Sequence, residues 1–178
     1  QKARGWLSVK HNWNSVCIAG VTGAVLQQVE SPLERARFLM PLIDHSQNYL
    51  KGYEADGYCS EGLGYWNYGM GHYVLLAQTI LEATSGQIDL FDRPLVAEIA
   101  KFARRITIIN GISPAFADCP VKVEPDHNLM YFINRKWNMG LPQYSVPSKD
   151  KYLFDSIFYV FDSMDAIAQD APATPTLT

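Results

Sequence analysis

The chain has 178 residues, 48% of them hydrophobic and 19% charged, with a formal net charge of -3. Such a length and apolar content describe a globular chain with a core and exclude a disordered one. The balance of charge gives no basic field for a nucleic-acid partner, and no uninterrupted apolar run of about 18 residues marks a membrane span.

The sequence starts at Gln1 and reaches apolar residues by Trp6, with no leader-like stretch, so it reads as a piece of a longer protein or a processed form. A first helix is predicted over 13–29, with Val16, Ala19, Gly20, Gly23, Ala24 and Leu26 as a small-residue face for close helix approach. In front of it stands His11-Asn12-Trp13-Asn14, where Asn12 or Asn14 would cap and Trp13 would anchor the first turn. Ser31-Pro32-Leu33-Glu34 has the serine cap, early proline and third-position glutamate of a helix start. The helix it opens is expected to reach Leu50, with Ala36, Leu39, Met40, Ile43 and Tyr49 or Leu50 inward. A glycine-rich turn follows, then a third helix from Trp66 or Gly69 to Thr84, closed by Gly86. Asp92-Arg93-Pro94-Leu95 opens a fourth, reaching Ile108 and ending near Asn110-Gly111. Residues 113–125 hold three prolines and read as a loop. Further helices are expected over 126–138 and 149–168, and the Pro/Thr/Ala tail 171–178 reads as disordered.

No strand-type alternation persists, so the fold class is all-α, with antiparallel helical hairpins over 1–170. Three widely spaced cysteines, Cys17, Cys59 and Cys119, fit no zinc pattern. They are expected to be buried thiols, with a Cys59–Cys119 bridge as the alternative.

The densest chemistry lies in Asp56-Gly57-Tyr58-Cys59-Ser60-Glu61-Gly62-Leu63-Gly64-Tyr65-Trp66-Asn67-Tyr68-Gly69, where four glycines, three tyrosines, a tryptophan and carboxylates precede an apolar helix. Tyr65, Tyr68, Gly69 and His72 fall on one helical face. As an isolated stripe that face would be core. At a helix start beside Glu61 it can instead hold a phenol that loses and regains a proton. The Asn12 and Asn14 amides can bond a substrate carboxylate without adding charge, or simply cap. Asp118 is a loop carboxylate, normally solvated, that could wall a site. His45 and His127 read as structural, and Lys101, Arg104 and Arg105 as a solvated basic run. Arg135-Lys136-Trp137 could stack on and clamp a sugar. No spacing gives a metal site or a serine nucleophile elbow, and no cofactor is expected.

These segments resemble the heparinase II/III-like polysaccharide lyases, within the wider group of alginate, chondroitin and hyaluronate lyases built on an (α/α) toroid. The likeness rests on Asn12-Trp13-Asn14 before Cys17-Ile18-Ala19-Gly20, and on Asp56-Gly57, Glu61-Gly62 and Tyr65-Trp66-Asn67-Tyr68-Gly69, and it covers about residues 6 to 120. It implies part of a toroid, normally followed by a β-sandwich domain, in a secreted or periplasmic enzyme acting on an acidic glycan such as a glycosaminoglycan or alginate. The reaction it implies is β-elimination: a base removes the C5 proton beside a uronate carboxylate and the C4–O bond breaks. Asn12 or Asn14 would neutralise the carboxylate. Tyr68, or Tyr65 in second place, would move the proton, with His11 or His72 as partner base. Trp13, Glu61, Trp66, Arg135 and Trp137 would contact substrate. In the chondroitin and hyaluronate branch a histidine precedes the tyrosine, whereas here that region reads Glu61-Gly62. The competing expectations are an (α/α)-barrel glycoside hydrolase using Asp56, Glu61 or Asp118, and a non-catalytic glycan-binding domain.

Overall fold

The computed structural model describes residues 5–109 and 111–148; the helix expected over 149–168 and the tail 171–178 lie outside the described residues. The chain divides into two compact units, Gln1–Pro125 and Asp126–Thr178. The described residues are all-α, with one isolated bridge between Ile109 and Ile112.

In the first unit α1 (Gly5–Ser8) packs on α2 (Asn12–Gln28) and α3 (Pro32–Leu50), and α2 lies between α3 and α4 (Leu63–Ala83). Helix α4 is the centre of the core. Leu63, Trp66, Met70, Tyr73, Val74, Leu76, Ala77 and Ile80 are all buried, on more than one side of the cylinder, as expected of a helix enclosed by its neighbours. Its start comes earlier than the sequence suggests. Gly62 adopts φ 84 and ψ 177, and its carbonyl accepts from Trp66 N at 3.0 Å, so the helix begins at Leu63. A Cβ at Gly62 would stand 2.6 Å from Cys119 Cβ, so this turn tolerates only glycine on two counts.

Helix α3 starts where the sequence puts it: Ser31 accepts from Glu34 N, with Pro32 in the first turn and Glu34 against the positive helix end. Its inner seam differs. Leu39, Leu42, Ser46, Tyr49 and Leu50 are buried, while Ala36 and Met40 are exposed, because the seam follows 39, 42, 46 and 49 rather than 36, 40 and 43. In α2 the expected small-residue face is also corrected. Gly20, Gly23 and Ala24 are exposed, and the buried face is Asn12, Asn14, Ser15, Ile18, Ala19, Thr22 and Val25. The cap is His11, whose ring accepts from Trp13 N, so neither asparagine caps and Trp13, 64% exposed, anchors nothing.

The fourth expected helix is two short ones, α5 (Val96–Ala100) and α6 (Phe102–Ile106). Leu95 precedes them at φ 76, and Lys101 N turns back to Glu98 O in a tight turn that interrupts the regular ladder. The cysteines are free. Cys59 and Cys119 are buried without a bridge between them, and Cys17 is half-buried rather than a core thiol. No described helix is long and apolar enough to cross a membrane.

In the second unit α7 (His127–Lys136) is capped by Asp126, which accepts from Leu129 N at 2.7 Å. The Asn134 amide closes the following turn through Leu141 and Tyr144, and the Asn128 amide bonds the Ser148 backbone.

Candidate functional site

The α2–α4 contact is built from polar side chains. The Ser15 hydroxyl lies 3.0 Å from Asn12 O and 2.9 Å from Gly69 O, tying α2 to the second turn of α4. Gly69 is wedged there: a Cβ would meet the Tyr49 ring and hydroxyl at 2.9 Å and Asn12 Cβ at 3.2 Å. The glycine that follows Tyr68 therefore carries the close approach that brings Asn12 to α4.

The two asparagines have different work. The Asn14 amide bonds the carbonyls of Trp6 and Leu7 at 3.1 and 3.0 Å, and its oxygen accepts from Tyr49 N at 3.2 Å. It joins α1, α2 and α3 and is fully buried with its amide engaged, so it is not free for the carboxylate-neutralising role expected of Asn12 or Asn14. Asn12, 2% exposed, directs Nδ2 to Glu61 Oε1 at 3.5 Å, while its Oδ1 is buried with no hydrogen-bond partner. A buried unpaired amide oxygen is uncommon and costs about 1–3 kcal/mol.

Beneath this pair lies a set of hydroxyls that sequence reading missed. The Tyr49 and Tyr53 hydroxyls bond each other directly, and the buried Cys59 lies in the turn that follows, where its carbonyl accepts from Gly62 N at 3.2 Å. Burial pushes the Tyr49 and Tyr53 phenols well up and raises the Cys59 thiol, so all three stay protonated at neutral pH. Tyr49 stacks on Tyr73 at 5.6 Å and meets Tyr53 edge-on at 5.1 Å. The four-residue spacing of Tyr49 and Tyr53 was the available signal.

On the outer side Tyr68 is 48% exposed. It lines a pocket of about 310 Å³ with Gly64, Tyr65, Asp118, Pro120 and Val123. Tyr65 and Asp118 thus join Tyr68, at the positive end of a 21-residue helix. The His72 ring meets the Tyr68 ring edge-on at 4.7 Å, with Nδ1 2.7 Å from Tyr68 O. A carbonyl only accepts, so Nδ1 carries the proton and Nε2 holds the lone pair of the neutral ring. Burial lowers the His72 pKa and the Tyr68 carbonyl partly restores it, so the ring is neutral at pH 7.

The remaining expected residues separate. Trp66 is 0% exposed and donates Nε1 to Ile99 O at 2.8 Å, so it is a core residue and not a stacking platform. His11 is occupied as the α2 cap. Arg135 and Trp137 belong to the second unit, where Arg135 donates to the Tyr131 hydroxyl at 2.8 Å and lies over that ring. Asp56 accepts from Tyr58 N at 3.0 Å in a local turn, and Arg105 pairs with Glu98. Among the described residues no group of three His, Cys, Asp or Glu side chains could hold a metal ion. The chain matches no family model and none of the curated proteins compared with it.

Proposed function

We propose that the protein is a polysaccharide lyase, built on part of an (α/α) toroid and acting outside the cytoplasm, that cleaves a uronic-acid-containing glycan by β-elimination. The observation that carries the reading is the meeting of α2 and α4 at Gly69: it packs Asn12 against the residue following an exposed phenol. The Tyr68 oxygen takes the C5 proton of the uronate. The electron pair left at C5 forms the C4=C5 double bond, the C4–O bond breaks, and the departing oxygen takes the proton back from Tyr68. Water is not consumed, and the product carries an unsaturated uronide. Charge builds on the carboxylate as C5 loses its proton, so donors aimed there lower the barrier. The positive end of α4 lies at the Tyr68 pocket and supplies such a field, and the Asn12 amide keeps a second N–H besides the one turned to Glu61. His72 is better placed than His11 as partner base, because it touches the Tyr68 ring while His11 caps α2.

The test is ultraviolet absorbance of the unsaturated product with a panel of uronic-acid polysaccharides. We expect product with at least one of them, and a fall of about 10²–10⁴-fold in turnover for Tyr68→Phe, the usual scale for a proton-transfer group. No product across the panel, or full turnover in Tyr68→Phe, refutes the assignment.

A further inference from the structure

We propose that the protein binds a small monocarboxylate in a second pocket, with Arg93 holding the acid group and Lys51 beside it. The proposal does not depend on the lyase reading. The pocket holds about 470 Å³, shares no lining residue with the Tyr68 pocket, and falls within the size range of small-molecule sites. Two cations line it. The half-buried Arg93 guanidinium donates Nη1 to Ser46 Oγ at 2.7 Å and Nη2 to Ile43 O at 2.6 Å. Lys51 donates Nζ to Asn48 Oδ1 at 3.2 Å. All of these acceptors are neutral, and among the described residues neither cation ion-pairs with a carboxylate. A charge partly withdrawn from water without an opposite charge beside it is costly, and an anion entering there offsets that cost.

The rest of the lining sets the ligand class. Leu50, Pro94 and Leu95 give an apolar wall, which suits a short hydrocarbon chain attached to the acid. Asp44 also lines the pocket, exposed and bonded by Gln47 Nε2 at 3.0 Å, and Lys51 caps the negative end of α3. These offset part of the positive charge, so a monoanion fits better than a phosphate dianion. The Arg93 fork is pinned before any ligand arrives, because Ser46 is buried and gives its own proton to Ile43 O at 2.7 Å. A guanidinium carries more N–H donors than these two bonds use, and its planar fork matches a carboxylate. Leu95 stands at φ 76, a conformation leucine rarely adopts, where the chain walls the pocket.

The experiment titrates ¹⁵N-labelled protein with sodium butyrate at constant ionic strength and follows the backbone amide resonances. Butyramide is the uncharged analogue and inorganic phosphate the dianion. We expect butyrate to saturate with a Kd of about 1 mM, the scale for so small a ligand, with shifts centred on residues 44–53 and 93–96. Butyramide and phosphate should bind at least about tenfold more weakly. Lys51→Gln changes an exposed side chain and leaves the Arg93 bonds in place, so it should fold and weaken butyrate by about 2- to 5-fold. Arg93→Gln should weaken it by about 10- to 100-fold, and its amide spectrum reports whether it folds. Because Arg93 also ties the chain to α3, the exposed Lys51→Gln variant decides the matter by itself if Arg93→Gln does not fold. Shifts that rise linearly with butyrate, scatter over other surfaces, or are matched by butyramide overturn the proposal, as does unchanged butyrate affinity in Lys51→Gln. Phosphate binding more tightly than butyrate overturns the monocarboxylate assignment.

Discussion

Gly69→Ala tests the contact on which the site depends, because two effects of opposite sign compete there. Alanine in a helix interior is favoured over glycine by about 1 kcal/mol. Against that, the new methyl would lie 2.9 Å from the Tyr49 ring and hydroxyl and 3.2 Å from Asn12 Cβ. Tyr49 cannot swing away: it is buried, stacked on Tyr73 and bonded to the Tyr53 hydroxyl. Forcing a methyl into such packing costs about 1–3 kcal/mol. Breaking the Tyr49–Tyr53 bond adds about 0.5–1.5 kcal/mol. The balance is a destabilisation of about 1–3 kcal/mol, read as a lower urea midpoint at unchanged slope. Gly20→Ala and Gly23→Ala are the controls. Both positions are exposed on α2 with no atom within 4 Å of a built Cβ, so propensity acts alone and each should gain about 0.5–1 kcal/mol. A Gly69→Ala protein as stable as wild type, or more so, refutes the close approach of α4 to Asn12 and Tyr49.

Two other outcomes follow from the same region. Asn14→Ala removes three hydrogen bonds, leaving the Trp6 carbonyl and the Tyr49 N–H without this partner, and should cost about 2–4 kcal/mol. Asn12→Ala gives up one long bond and relieves an unpaired oxygen, so its urea midpoint should stay well above that of Asn14→Ala. The reverse order would show that the two amides have been given each other's roles. Stability should also fall in alkali. Burial lifts the Tyr73 phenol from 10.0 to about 12 and raises Tyr49 and Tyr53 too. The unfolded chain therefore releases these protons first. Their contribution is whole below pH 10 and is lost as pH rises from 10 towards 12, each pKa unit being worth about 1.4 kcal/mol. Urea midpoints measured from pH 8 to pH 11.5 should be level up to about pH 9.5 and then fall; a level profile throughout would mean the phenols are solvated.

The parts of this fold that were legible in the sequence are those fixed by local chemistry. Ser31, Pro32 and Glu34 announce the start of α3, and Asp126 caps α7, because a cap needs only residues within one turn. The inner face of α2 was not legible. Apolar periodicity finds a buried face only when that face is apolar, and this one carries Asn12, Asn14, Ser15 and Thr22. Exposed Gly20, Gly23 and Ala24 then mimicked a packing seam. Trp66 misled for a related reason. It sits in the glycine- and tyrosine-rich stretch, but local composition does not tell which side of a helix its ring takes, and Ile99, 33 residues on, supplies the acceptor that seats it in the core. The Glu61 contact with Asn12 crosses a turn whose path glycine conformations set, and no pattern in the sequence encodes that path.

Polar residues on the inner face of α2 have a consequence for function. Ser15 bonds α4, and Asn14 bonds both α1 and α3, so α2 is fixed against its neighbours by directional contacts as well as by apolar fit. Satisfied buried polar groups of this kind specify one arrangement, since any slip of the helices leaves them unpaired in a medium where that is costly. Asn12 shares the rigid helix and the same interface but keeps an amide oxygen unpaired. Placing an incompletely bonded amide beside two fully engaged residues costs stability without adding packing. Its position is therefore defined by Asn14 and Ser15.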